Sequence, residues 1–344
     1  MNAGGPPRAP GSAIDMTHGA GGKAGEQLVS SLFRRHFDNP ILAQGDDGAA
    51  LGEVAGRLVM TTDGHVVSPL FFPGGDIGKL AVSGTVNDLA VMGAVPRYLT
   101  ASFIIEEGFA MDDLERIVAS MAAVAREVGA QIVAGDTKVV ERGKGDGVFI
   151  SLAGLGVVPH GVAPSGAKAR AGDAVLVSGT IGDHGVAILS KRENLDFETE
   201  IVSDCQPLAD LAQAMFAAVP GIRVMRDPTR GGVAATLNEI AHQSGVGMAL
   251  VEKDMPIDPG VAAACELLGI DPLNVANEGK LLAICAAEDA ERLLAVMRAH
   301  PRGRNAALIG HIVEDKARLV TMRTSFGGNR VVDWIAGEQL PRIC

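Results

Sequence analysis

Aromatic side chains are scarce at 3% of 344 residues, with one Trp and one Tyr. The 47% that is hydrophobic must therefore build its cores from Ala, Val, Leu and Ile, which suits sheets covered by helices. Positive charge is in deficit. A formal net charge of −11 sets aside the nucleic-acid binders, which are usually basic. Cysteine is limited to Cys205, Cys265, Cys285 and Cys344, with no C-x-x-C pair and no histidine at zinc-site spacing. Scattered single thiols point to a reducing compartment, hence the cytoplasm. No apolar run reaches the ~18 residues of a membrane span. The Pro- and Gly-rich start has no apolar stretch of the signal-peptide kind, and residues 1–13 read as a disordered lead-in. A terminal Cys is also not the fourth-from-last Cys of a prenylation signal. His18-Gly-Ala-Gly-Gly-Lys23 lacks the first Gly and the following Ser or Thr of a Walker A loop.

The length fits about two domains, and 44 glycines suggest backbone that approaches a ligand closely. Leu58–Thr62 reads as a strand that delivers Asp63 at its tip. Asp76–Gly93 reads as a buried helix of small residues. Asp112–Val128 reads as an amphipathic helix with an Asp112/Glu115 capping box and Gly129 at its end. Strands are expected at Gln131–Ala134 and Val148–Leu155. Pro159–Gly172 reads as the linker. A second mixed set follows from Ala174 to Met322. The expectation is an α/β or α+β chain of two tandem mixed-sheet domains, 14–158 and 170–334. A flexible tail, 335–344, would end in Cys344.

Several groups could carry chemistry. His18 and Lys23 sit in the first glycine-rich stretch, which reads equally as a flexible loop. Asp46, Asp47, Asp63, Asp136 and Asp227 fall at turns or element ends, and Asp88 joins them from Val-Asn-Asp-Leu-Ala-Val-Met-Gly-Ala. Several Asp from separate elements could converge on Mg²⁺, a hard ion that shares oxygen ligands with phosphates. Turn or helix capping is the other reading of each. Asp88 is harder to dismiss, because it lies inside an otherwise apolar helix. Arg226-Asp-Pro-Thr-Arg-Gly-Gly precedes a helix and offers an anion site or a simple cap. Glu278 and Lys138 each fall in an apolar neighbourhood that can shift a pKa toward acid–base work. Cys344, at the end of a mobile arm, is either an exposed thiol or a swinging carrier.

Taken together, these motifs resemble the aminoimidazole ribonucleotide synthetase superfamily of ATP-using enzymes. Thr85-Val-Asn-Asp-Leu-Ala-Val-Met-Gly-Ala94 carries that likeness, and the ending Pro-Arg-Ile-Cys344 resembles the hydrogenase-maturation carbamoyl dehydratases, the HypE family. The resemblance implies two α/β domains, homodimers paired through the N-terminal domains, and ATP with Mg²⁺ between the domains. It implies Asp47, Asp63, Asp88 and Asp227 as metal and phosphate-site carboxylates, with Asp136 a weaker candidate. Lys79, Thr85, Asn87 and Arg226 join the nucleotide side, and Glu278 and Lys138 act near the thiol. A HypF carbamoyltransferase would load Cys344, dehydration would leave a thiocyanate, and a HypC–HypD complex would accept the cyanide for [NiFe]-hydrogenase iron. A relative that phosphorylates a free small molecule, as selenophosphate synthetase does, would not need Cys344. A non-catalytic nucleotide-binding scaffold would have no reason to hold so many carboxylates together.

Overall fold

The computed structural model of the chain describes residues 13–20, 22–44, 48–195, 201–334, 340 and 342–343. Residues 1–12, Asp46, Asp47 and Cys344 lie outside the described residues, and with them the expectations placed there.

The first domain opens with α1 (Met16–Gly19). Next comes α2 (Gly22–Leu28), which runs on through a π turn into α3 (Arg34–His36). Then come β1 (Arg57–His65), a small hairpin of β2 (Phe71–Phe72) and β3 (Gly75–Asp76), and α4 (Ile77–Val91). β4 (Val95–Glu106), α5 (Met111–Glu127), β5 (Gln131–Val140) and β6 (Val148–Val158) complete it. The sheet order is β1-β6-β4-β5, antiparallel except for the β4/β5 pair. β4 had no counterpart among the expected strands, yet it is central. Pro96 removes an amide near its start, and the register shifts there, between Pro96 and Tyr98.

α5 forms because Leu114, Ile117, Val118, Met121 and Val124 recur at helical spacing, and all are buried. The expected capping box does not form. The N-cap is Ala110, with no side-chain bond, because burial of Met111 draws the helix start forward. Asp112 and Asp113 instead place negative charge in the first turn. α4 is buried on nearly every side and begins at Asp76, whose carboxylate accepts from Gly78 N and Lys79 N.

Residues 159–172 contain no helix or strand. The second domain follows with β7 (Ala174–Val177), α6 (Asp183–Glu193), α7 (Ala209–Ala218), β8 (Val224–Arg226), α8 (Gly232–Ser244) and β9 (Gly247–Val251). It continues with α9 (Pro259–Leu268), β10 (Leu282–Cys285), α10 (Ala290–Ala299), β11 (Ala307–Val313), β12 (Val320–Arg323) and β13 (Asn329–Val331). The sheet order is β13-β12-β9-β11-β7-β10-β8, with only β12/β9 parallel. β7 and β10 are buried at every position, as continuous apolar runs in a covered sheet should be.

The two domains share one core. α4 packs on α7, so Leu80 and Val86 join Leu208, Leu211 and Met215 in one cluster. Asn87 stitches this seam. Its amide donates to the carbonyls of Gln206 (3.1 Å) and Glu278 (3.4 Å), and its oxygen accepts from Leu208 N at 2.7 Å. This side chain, expected on the nucleotide side, spends its hydrogen bonds between domains. Asn87→Ala strands buried backbone groups and is expected to cost about 2–3 kcal/mol. Urea unfolding checks this, and a loss below about 0.5 kcal/mol would deny the seam its role.

Candidate functional site

An acidic cavity of about 230 Å³ opens where the domains meet. Strand alternation in β1 turns Thr61, Asp63 and His65 toward α4. α4 supplies Gly84 and Asp88, four apart and hence on one face. The loop after β8 supplies Asp227, Thr229 and Arg230, and the loop before β10 supplies Glu278. Gly84 is required by close approach, because a Cβ there would sit 3.0 Å from His65 Nε2 and 3.3 Å from Asp63 Oδ2.

The carboxylates differ in how readily each holds its charge. Burial pushes Asp63 up, but His65, 3.1 Å away, and the Gly64 N–H outweigh it and hold Asp63 below the usual range. Burial, with the neighbouring Asp63, pushes Asp88 up despite a 2.7 Å hydrogen bond from Thr61. Asp227 is pushed up to about 7, first by burial and then by Asp88. Glu278 is 4% exposed and lies well above the usual carboxylate range, by burial and then by Asp204, Asp227 and Asp63. Its buried Oε1 has no hydrogen-bond partner.

Asp227 has a consequence for stability. Below pH ~4 the carboxyl is protonated in both folded and unfolded chains, so it adds nothing. As pH rises from there to about 7 the unfolded chain ionises while the folded chain resists, and folding is penalised increasingly, in full above about 7. Asp227→Asn is expected to stabilise the nucleotide-free protein by about 2 kcal/mol at pH 8 and by little at pH 4. Melting temperatures of both proteins at the two pH values check this. An equal difference at pH 4 and pH 8 would refute it.

Behind Glu278 lies a buried charge network. Asp204 accepts from Glu278 N at 3.0 Å, and Lys280 Nζ lies 3.0 Å from Asp204 and 3.5 Å from Asp183. His184 follows Asp183. Its Nδ1 lies 2.8 Å from Ser203 Oγ and its Nε2 2.5 Å from the carbonyl of Ile343. The tail expected to be flexible is packed at its described residues. Ile343 is 5% exposed within the main core, Leu340 packs beside Gly185, and Arg342 pairs with Asp146.

The chain matches family models in both halves. The model of the AIR synthase related protein N-terminal domain covers residues 45–158, and that of the C-terminal domain covers 170–321. The carbamoyl dehydratase HypE of Cupriavidus necator is 66% identical over 332 residues, 96% of this chain and 95% of that protein. A crystal structure of the hydrogenase maturation protein HypE in complex with ATP superposes with a TM-score of 0.93 at 50% identity. It covers 96% of this chain and 99% of that one. A crystal structure of a HypE–HypF complex matches with a TM-score of 0.80 at 49% identity, covering 90% of this chain and 99% of that one. The chain belongs to the HypE family of carbamoyl dehydratases, within the AIR synthase related proteins.

Of the residues singled out in this HypE-family sequence, Asp63, Asp88, Asp227 and Glu278 meet in the acidic cavity. Arg226 does not line it. Its guanidinium pairs with Glu239 at 2.6 Å, and Arg230 takes the cavity position. Lys79 donates to Gly74 O, and Thr85 is buried in α4 with its hydroxyl unpartnered. His18, Asp136 and Lys138 line a second cavity of about 380 Å³, between α1–α2 and the sheet. Lys23 is exposed and lines neither cavity.

Lys138 is therefore not beside Glu278 within one chain. It pairs with Asp136 at 2.7 Å on edge strand β5. The register Asp63–Leu152–Ala101–Gly135 puts three strand spacings, about 14 Å, between the β1 and β5 edges. Sequence reasoning missed Arg230, Thr229, His65, Asp204 and His184. Arg230 and Thr229 lay inside the quoted Arg226–Gly232 motif, and His65 lies two residues beyond Asp63 on the same strand face.

Among the described residues no three His, Cys, Asp or Glu side chains already converge on a cation position. The donor set nonetheless fits a hard cation. Asp63, Asp88 and Asp227 offer oxygens only, and their mutual repulsion is what a cation would relieve. No described helix is long and apolar enough to cross a membrane.

Proposed function

We propose that this chain is an ATP-dependent carbamoyl dehydratase. It would convert an S-carbamoyl group on its own Cys344 to a thiocyanate, releasing ADP and phosphate. The observation that carries this reading is the continuity from tail to acid. Ile343 is bonded to Cys344 in the sequence and is held by His184. From Asp183, the residue before it, Lys280 and Asp204 lead to Glu278.

In this reading the amide oxygen of Cys–S–C(=O)–NH₂ attacks the γ-phosphorus of ATP, and the bond to ADP breaks. A poor leaving group becomes a phosphate ester. The nitrogen then loses two protons, the C–O bond breaks, and Cys–S–C≡N remains. Glu278 is the group placed to accept a proton. Asp63, Asp88 and Asp227 would hold Mg²⁺, which when bound supplies positive charge against the phosphates. Arg230 adds a second positive group at the same wall.

The HypE–HypF complex supports a HypF-type carbamoyltransferase as the loading partner. A HypC–HypD complex as cyanide acceptor, for the iron of [NiFe]-hydrogenase, and a cytoplasmic location complete the reading. A homodimer through the N-terminal sheet is supported by its uncovered face, where Leu58, Met60 and Ile104 are 50%, 74% and 43% exposed. A partner sheet there would change what lies near Lys138. The tail would leave its seat for loading, and ten residues from Ile335 reach roughly 33 Å when extended. Intact-protein mass spectrometry after incubation with HypF, carbamoyl phosphate and ATP is the test. A gain of about 25 Da, H replaced by CN, is expected on Cys344. The same gain on another cysteine would overturn the reading.

A further inference from the structure

We infer that His184, Ser203 and Arg192 form a latch that seats the C-terminal tail by its main-chain carbonyls, and that these are positioning residues for the reaction at Cys344. The inference rests on the dehydratase reading for its purpose and on geometry alone for its existence.

The hydrogen-bond accounting fixes the donor toward the tail. Ile343 O can only accept, so His184 Nε2 carries the hydrogen across the 2.5 Å contact. Ser203 Oγ, which accepts from Cys205 N at 3.1 Å, lies 2.8 Å from His184 Nδ1. With the hydrogen on Nε2, Nδ1 of the neutral imidazole accepts the Ser203 hydroxyl hydrogen, which holds the ring in one tautomer. Burial, which depresses this histidine below its ordinary range, favours the same state. Ring tilt is fixed as well, by an edge-on contact with Phe72 at 5.6 Å between centroids. Ser203 is tied in turn to Pro73 O through its amide. A fully buried histidine with both nitrogens engaged, one by a tail carbonyl, is a built receptor.

The preceding carbonyl is gripped from the other side. Arg342 O accepts from Ser68 N at 3.1 Å and from Arg192 Nη2 at 2.7 Å. Arg192 Nε also donates to Ser68 O at 2.9 Å, so one guanidinium bridges the tail and its cradle. Among the described residues, side-chain contacts are added by Ile343, Leu340 and the Arg342–Asp146 pair. None of these contacts involves the thiol. The described grip is on the two residues before Cys344.

Hydrogen exchange by mass spectrometry on the full-length chain tests this, with Ser68 as reporter, because its amide is bonded to the tail. His184→Leu and Arg192→Ala are each expected to speed Ser68 exchange by about tenfold, the worth of one buried hydrogen bond. The β7 and β10 amides should keep their protection. Single-turnover dehydration of HypF-loaded protein should slow by a similar factor, with ATP affinity and loading unchanged. His184→Gln, whose amide can reach the same carbonyl, should recover both. Arg192→Ala keeps the test open should His184→Leu fail to fold. Unchanged Ser68 exchange, or a loss of protection spread through β7 and β10, overturns the latch. Faster Ser68 exchange with wild-type dehydration overturns its role in positioning. A wild-type chain that forms no thiocyanate removes the dehydratase reading and leaves the seated tail to be judged on exchange alone.

Discussion

Cys344→Ala is expected to abolish thiocyanate formation while leaving ATP affinity within about twofold of the wild type. The loss is total rather than partial because the sulfur is an atom of the substrate, not an aid to its conversion. The other thiols cannot take over. Cys205 is buried and its thiol is pushed well above the usual range, by burial and then by Glu278. Burial pushes Cys265 to about 11 and Cys285 to about 12. Nucleophilic capture of a carbamoyl group needs thiolate, and these three hold almost none near neutral pH. ATP binding is spared because no nucleotide-side carboxylate is altered. Isothermal titration with ATP and Mg²⁺, alongside mass spectrometry after loading, checks both halves. Thiocyanate recovered from the variant would sink the carrier role of Cys344, and a large loss of ATP affinity would make the residue structural.

The parts of this molecule that follow a strict period were legible in its sequence. The apolar stripe from Leu114 to Val124 predicts α5 because one face must be buried, and it is. β1 was legible because a short apolar run ended on an acid, and Asp63 lies on that strand. The lone Asp88 in a buried helix was the most informative single residue, since a carboxylate there is costly without a task. What stayed hidden was pairwise. Arg226 and Arg230 are chemically identical in the sequence, and only the ion pair with Glu239 shows which one is free to face the cavity. Asn87 sat among the expected nucleotide residues, and its service between domains depends on carbonyls more than a hundred residues away. His184 carried no signal, because an imidazole beside a short apolar run is ordinary until a tail is found against it. Lys138 read as a partner of Glu278, but strand order puts them at separate cavities of one chain.

Glu278→Gln is expected to slow dehydration by about 10²–10⁴-fold and to leave the S-carbamoyl form accumulating. The isostere keeps the packing. In the nucleotide-free protein burial, Asp204, Asp227 and Asp63 all disfavour a charge on Glu278, so a neutral Gln there costs little stability. The same raised pKa sets the sign of the pH effect. A base must be ionised to act, so turnover should rise with pH through the raised value and fall as acid restores the proton. Positive charge at Asp63, Asp88 and Asp227 would lower that value by offsetting the carboxylates that raise it. The acid would thus ionise more readily with the cation in place than without it. Two measurements separate this from simple damage to the cavity. ATP affinity should be unchanged in Glu278→Gln, and the alkaline-rising limb of the single-turnover profile should flatten. A variant with wild-type turnover, or one that keeps the same rising limb at a lower rate, would move the base role from Glu278 to another group.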